Sequence, residues 1–171
     1  MLAGPMDYTP GIVSLKGRNG LPLRSTLAKQ LALYVVLYSP IQMVADLPEH
    51  YAQHPDAFQF IKDVAVDWEQ SHVLNGEVGQ YVTLARKARG SEEWFIGSVG
   101  DEQPHSLQAS LSFLDPKRRY RAEIYRDGDG ANWETRPFAF VRETREVRSS
   151  DSLALPLGAG GGAAVRLVPL D

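Results

Sequence analysis

No cysteine occurs among the 171 residues, which excludes disulfides, thiolate metal sites and cysteine nucleophiles. Long hydrophobic runs are lacking too. The longest, residues 31–38, is far short of the roughly 20 residues that a membrane-spanning helix needs, so no membrane role is expected. Nor is there an excess of one charge: 18 Lys+Arg face 21 Asp+Glu, a net charge of -3. A dedicated nucleic-acid binder normally carries a basic patch or stripe, so nucleic acid is not expected as a partner. Met1-Leu2-Ala3-Gly4-Pro5 has neither a basic start nor an apolar stretch behind it, and no signal peptide is read there. What the chain does have is 43% hydrophobic and 23% charged residues, an ordinary globular mixture able to bury a core.

Residues 1–65 and 66–171 follow different periods. In the first part, Ser25 or Thr26 is placed to cap a helix that runs to about Tyr38, its side-chain oxygen accepting from an N–H of the first turn. Leu27, Leu31, Tyr34, Val35 and Tyr38 keep helical spacing, while Ala28, Ala32, Leu33, Val36 and Leu37 fill most of the other face. A helix apolar nearly all round belongs to a body larger than its own segment. The expectation is that the second part covers some of it and that residues missing from this chain cover the rest, Met1 then being an internal methionine. Pro40 stops the helix and residues 41–45 form an apolar run of strand length. Pro48 and Pro55 open two short helices, proline being favoured in a first turn. This order of extended segments and helices is the grammar of βα units around a parallel sheet.

From Asp67 the period is two. Leu107, Ala109, Leu111 and Phe113 alternate with Ser106, Gln108, Ser110 and Ser112. Tyr120, Ala122 and Ile124, then Leu153, Leu155 and Leu157, then Ala163, Val165 and Leu167 do the same. Residues 82–85, 94–96 and 138–147 add further strands, with turn signals at 89–91, 115–116, 127–130 and 158–162. Seven or eight half-buried strands of this kind predict an antiparallel β-sandwich.

Few residues stand out chemically. Asp7 follows a candidate strand end at residues 1–3, and Asp46 follows the run 41–45. In a (β/α)₈ barrel, working groups lie where strands end, so both are candidates; as ordinary structure, Asp7 would open a turn and Asp46 would cap the next helix. His50 and His54 are four apart with Glu49 adjacent, but without HExxH or a third ligand they read as a solvated helix face. His72 and His105 read as surface or loop residues. Asp127-Gly128-Asp129-Gly130 looks like the start of a calcium loop, yet Phe138 stands where the bidentate Glu belongs, so a hairpin turn is expected. Gly160-Gly161-Gly162 precedes a strand, unlike a phosphate cradle, which opens a helix. Trp68, Trp94 and Trp133 fit core positions better than sugar-stacking platforms. No Ser/His/Asp arrangement rises above chance.

Several segments nevertheless share a likeness. Met1-Leu2-Ala3-Gly4-Pro5-Met6-Asp7-Tyr8-Thr9-Pro10-Gly11, then Thr26-Leu27-Ala28-Lys29-Gln30-Leu31-Ala32-Leu33-Tyr34-Val35-Val36, then Ser39-Pro40-Ile41-Gln42-Met43-Val44-Ala45-Asp46 stand in that order. Ala57-Phe58-Gln59-Phe60-Ile61-Lys62-Asp63-Val64, Val66-Asp67-Trp68-Glu69 and Tyr125-Arg126-Asp127-Gly128 follow. Together they resemble signatures of glycoside hydrolase family 97 along most of the chain. The resemblance implies a parent enzyme with an N-terminal β-sandwich, a central (β/α)₈ barrel and a C-terminal β-sandwich. This chain would then be an α+β fragment: the last two βα units of the barrel in residues 1–65, followed by the C-terminal antiparallel sandwich in residues 66–171. It also implies a calcium-dependent, exo-acting α-glucosidase or α-galactosidase that is periplasmic or secreted and hydrolyses oligosaccharides. The family's acid, base or nucleophile and most calcium ligands come from earlier segments, so none is carried over here. Location does carry over: Asp7, Tyr8 and Asp46 would sit at the barrel mouth as substrate-binding residues. The sandwich would brace the barrel or support a homo-oligomer. The competing reading is a carbohydrate-binding β-sandwich that holds sugar through Trp94 or Trp133 without catalysis.

Overall fold

The computed structural model describes residues 7–170; the expected strand end at residues 1–3 lies outside them. Helix α1, Leu27–Val36, begins at Thr26, whose side chain accepts from the N–H of Lys29 at 3.3 Å. Helices α2, Pro48–Gln53, and α3, Pro55–Asp63, each start on their proline, where the missing N–H has no intrahelical partner to lose. Eight strands follow: β1 Trp68–Glu77, β2 Tyr81–Ala88, β3 Trp94–Gly100, β4 His105–Ser110, β5 Tyr120–Asp127, β6 Phe140–Val147, β7 Ser152–Leu157 and β8 Gly162–Pro169. No described helix is long and apolar enough to cross a membrane.

The strands form a six-stranded sheet in the order β1-β2-β3-β8-β5-β6 and a two-stranded sheet of β4 and β7, with every ladder antiparallel. β4 and β7 alternate strictly between buried and exposed residues, as strands with one wet face must. Central β3 and β8 are buried on both faces. One face packs on the small sheet through Ile96, Leu107, Leu111, Ile124, Leu153, Leu155 and Val165. The other face carries the helices.

That second face changes the expectation for α1. The helix lies across β3 and β8, where glycine permits close approach: a Cβ on Gly97 would stand 2.8 Å from the Ala32 carbonyl oxygen and from the Val35 Cβ, and one on Gly162 would stand 2.6 Å from the Lys29 Cα. Leu31, Ala32 and Val35 are fully buried, and Leu33, Val36 and Leu37 are half-buried. The sandwich itself therefore supplies most of the cover assigned in the sequence to missing residues. Val13, Leu15, Leu31, Tyr51 and Phe60 share one hydrophobic cluster with Trp68, Phe95, Tyr125 and Ala164. Phe60 meets Phe95 and Tyr125 edge-on at 6.3 and 5.2 Å. Arg166 adds a polar clamp from β8, forking onto Glu93 at 2.9 and 3.1 Å and reaching Asp63 at the end of α3 at 2.9 Å.

Ahead of and behind α1, two extended segments run side by side. Tyr8 and Gln42 form a parallel bridge, and the Ala45 N–H donates to the Pro10 carbonyl at 3.1 Å. Apart from this bridge residues 41–45 form no regular strand.

Candidate functional site

The segments carrying Tyr8 and Asp46 are welded together by two tyrosines. The Tyr34 hydroxyl, on α1, lies 3.2 Å from the Pro10 carbonyl and 3.3 Å from that of Met43. Its burial, with smaller contributions from Tyr51 and Tyr8, raises its pKa. The Tyr51 hydroxyl donates to the Gly11 carbonyl at 2.8 Å and accepts from the Asp46 N–H at 3.1 Å. Gly11 has φ +81, and a Cβ there would stand 2.4 Å from the Tyr34 hydroxyl, so this crossing admits only glycine.

Asp46 is the polar centre of the junction. Its side chain is only 6% exposed. One carboxylate oxygen accepts from the Ser14 N–H at 2.7 Å, and the other accepts from the Leu47 N–H at 2.9 Å and from Nδ1 of His50. Burial alone would push the carboxyl up, but the hydrogen bonds from His50, Ser14 and Leu47 outweigh it and hold the pKa at about 2. His50, read as part of a solvated face, is thus the partner of Asp46. His54 stacks on Phe138 at 5.3 Å, and burial lowers its pKa. Beside the junction lies a cleft of about 630 Å³, walled by Thr9, Ile12, Ser14, Lys16, Asp46 and His50. Tyr8 is half-buried, and burial raises its pKa; Asp7 is exposed. The structure therefore brings Tyr8 and Asp46 onto neighbouring segments with Asp7 at their edge.

The other candidates lie elsewhere. Trp68 and Trp94 are buried on opposite faces of the large sheet, 7% and 5% exposed. Trp133 is half-buried: the Arg24 guanidinium lies 5.5 Å from its ring centre, and a Cβ on Gly160 would stand 2.8 Å from its Cδ1. Its ring is engaged within the chain. His72 packs on Trp94 at 5.5 Å, and His105 pairs with Asp101 at 2.7 Å; that pairing is the main cause of a lowered Asp101 pKa.

Asp127 is the residue whose role the sequence reading missed. Instead of sitting in an open hairpin turn, it ends β5 with 3% exposure. Its Oδ2 accepts from the N–H groups of Gly158 and Gly162, each at 2.9 Å, while Oδ1 has no hydrogen-bond partner within normal geometry among the described residues. Burial raises its pKa against the opposing pull of Thr26, the two glycine amides and Lys29. A Cβ on Gly161 would lie 1.9 Å from Oδ2, so residues 158–162 are glycine-rich to wrap this carboxylate. The available signal was the pairing of a strand-end Asp with a distant glycine run.

The fold and these positions can be set beside known proteins. A family model described as Glycosyl-hydrolase 97 C-terminal, oligomerisation, matches residues 67–168. The chain belongs to glycoside hydrolase family 97. Among curated relatives of this family 97 chain, a retaining alpha-galactosidase of Bacteroides thetaiotaomicron is 34% identical over 97% of the chain. A family 97 enzyme of Pseudoalteromonas sp. strain K8, solved with acarbose, superposes over the whole chain at 50% identity with a TM-score of 0.95. A point variant of that enzyme in complex with panose matches equally well. The family 97 chain spans about a quarter of these proteins: 25% of the galactosidase and 27% of the Pseudoalteromonas enzyme.

Proposed function

We propose that this chain is the C-terminal portion of an exo-acting α-glycosidase of family 97 that removes α-glucosyl or α-galactosyl units from oligosaccharides in the periplasm or outside the cell. The observation that carries the reading is the parallel bridge between Tyr8 and Gln42, beside an exposed apolar run. Ile41 is 57%, Val44 50% and Leu47 59% exposed. Two parallel extended segments joined through a helix, with apolar side chains bare on their outer side, suit the last staves of a (β/α)₈ barrel whose remaining strands lie upstream. Residues 7–47 are then the barrel's end, and the sandwich braces it and mediates oligomerisation.

Hydrolysis by such an enzyme needs one carboxylic acid to protonate the leaving oxygen and a second carboxylate to activate water or attack the anomeric carbon. Both are assigned to the upstream barrel. Asp7 and Tyr8 reach sugar hydroxyls from the rim, and Asp46 contributes by holding that rim in register. Calcium is not assigned to these residues: among the described residues no three His, Asp or Glu side chains converge on one point, and no step here involves the metal, which in the proposed parent would be held by upstream ligands.

The test is to express the gene product extended upstream of Met1 and assay aryl α-glucoside and aryl α-galactoside hydrolysis with and without chelator. The extended protein is expected to turn over, calcium-dependently, and the 171-residue chain to be inert. Turnover by the short chain would overturn the reading. Saccharide binding by the short chain, lost on Trp133→Ala, would favour the carbohydrate-binding module.

A further inference from the structure

We propose that the helix-side surface of the β1–β2 ribbon docks a second copy of this chain about a twofold axis. The proposal deepens, and rests on, the oligomerising role given above to the sandwich. The helices cover the middle of the large sheet and the Trp68 end of β1 but leave the rest of that edge strand open. Val73 pairs with Leu84, Val82 stands two residues from Leu84 and so on the same face, and Val82 pairs with Val99, which packs against the helix-side core. These four residues form one strip. Leu84, Val82 and Val99 are only half-buried, and Val73 is 71% exposed. At the end of the strip the turn between β1 and β2 lifts Val78 into solvent, 99% exposed. Beside it lies a cleft of about 470 Å³ walled by Tyr81, Val82, Val99 and the stem of Lys29.

Knob and cleft belong to the same patch, which is the requirement for an isologous contact: rotated by a twofold, each Val78 fills the cleft of the other copy. Charge is not what carries the contact: Lys29 donates to the Gly100 carbonyl at 2.6 Å and Asp101 pairs with His105 at 2.7 Å within the chain, which leaves the apolar side chains of the patch to face the rotated copy. The opposite sheet edge is built differently. β6 carries Arg142, Glu143, Arg145 and Glu146, three of them paired within the chain to Asp56, Arg126 and Arg119, and such charge keeps an edge from associating. Strand addition along β1 is also opposed, because register shifts at Trp68/Gln70 and Val73/Asn75 break its ladder and bulges blunt an edge. Side-chain docking remains. The apolar run assigned above to the upstream barrel, residues 41–47, borders a different cleft that shares no residue with this one. Residues 73, 78, 82, 84 and 99 all fall within the segment matched to a C-terminal oligomerisation family.

Sedimentation velocity on the full chain tests this. The wild type is expected to dimerise, and Val78→Asp to raise the dimer dissociation constant by at least about a hundredfold, since a twofold buries two unpaired carboxylates. The tip residue touches no core, so circular dichroism should be unchanged. Val73→Cys, the only thiol in the variant chain, is expected to alkylate more slowly at high than at low protein concentration. A monomeric wild type would overturn the oligomerising role and this surface together. A dimer that survives Val78→Asp, or one abolished by Ile41→Asp instead, would leave oligomerisation standing and remove this surface.

Discussion

Replacing Asp46 by Asn should cost about 2 kcal/mol near neutral pH and almost nothing near pH 2. The folded carboxyl titrates at about 2 against an ordinary 3.8, and each unit of difference corresponds to about 1.4 kcal/mol between protonation states. The side chain is 6% exposed, so solvent screens little of this. A depressed folded pKa means that the stabilisation is fully present above the unfolded value and is lost as pH falls through the folded one. Unfolding of wild type and Asp46→Asn by urea, followed by circular dichroism from pH 2 to 7, should show two curves that nearly meet at the acid end and diverge until about pH 5. At neutral pH the difference in melting temperature should be about 4–8 °C for a chain of this size. A gap independent of pH, or no gap, would refute the assignment of Ser14, Leu47 and His50 as partners of a charged carboxylate. The same variant in the extended enzyme separates positioning from plain stability: loss of kcat/KM well below the melting temperature marks a rim held in register for substrate, and unchanged kinetics marks a joint.

Two further outcomes concern the carboxylate at the end of β5. Gly161→Ala, whose Cβ would stand 1.9 Å from the Asp127 oxygen, should destabilise the chain by about 3 kcal/mol, measured by chemical unfolding, whereas Gly79→Ala has open space around it and should cost only the strain of its positive φ. Asp127→Asn should change the pH profile in the sense opposite to Asp46→Asn. Because burial raises the Asp127 pKa, the wild type is favoured below the unfolded value and loses that advantage as pH rises through the folded one, so its stability should fall relative to the Asn variant on going from pH 3 to neutrality.

The strands were legible wherever one face is wet. In β4 and β7 alternation survives because the outer face meets water, and the prolines of α2 and α3 announced their first turns. β1 was not legible: in Trp-Glu-Gln-Ser-His-Val-Leu-Asn-Gly-Glu neither face is well buried, and only its ladder with β2 makes it a strand. The candidate rim was partly legible. Asp46 stood out by following an apolar run, but its partners Ser14 and His50 come from opposite sides of α1 in sequence, and nothing local pairs them.

Sequence alone determined most of the elements and the family, because periodicity, proline and turn chemistry act within a few residues and the shared segments keep their order; β1 and the irregular run 41–45 are the exceptions. It also determined that α1 must be buried on nearly all sides. Only the tertiary structure decided what buries it. Glycines at 97 and 162 let the helix settle on β3 and β8, contacts between residues some 65 and 133 positions away from Ala32 and Lys29. The role of Asp127 was decided in the same way, by a glycine run 31 to 35 residues further along. Such contacts leave no local pattern, since steric clearance and carboxylate solvation are set by whichever backbone arrives from across the fold.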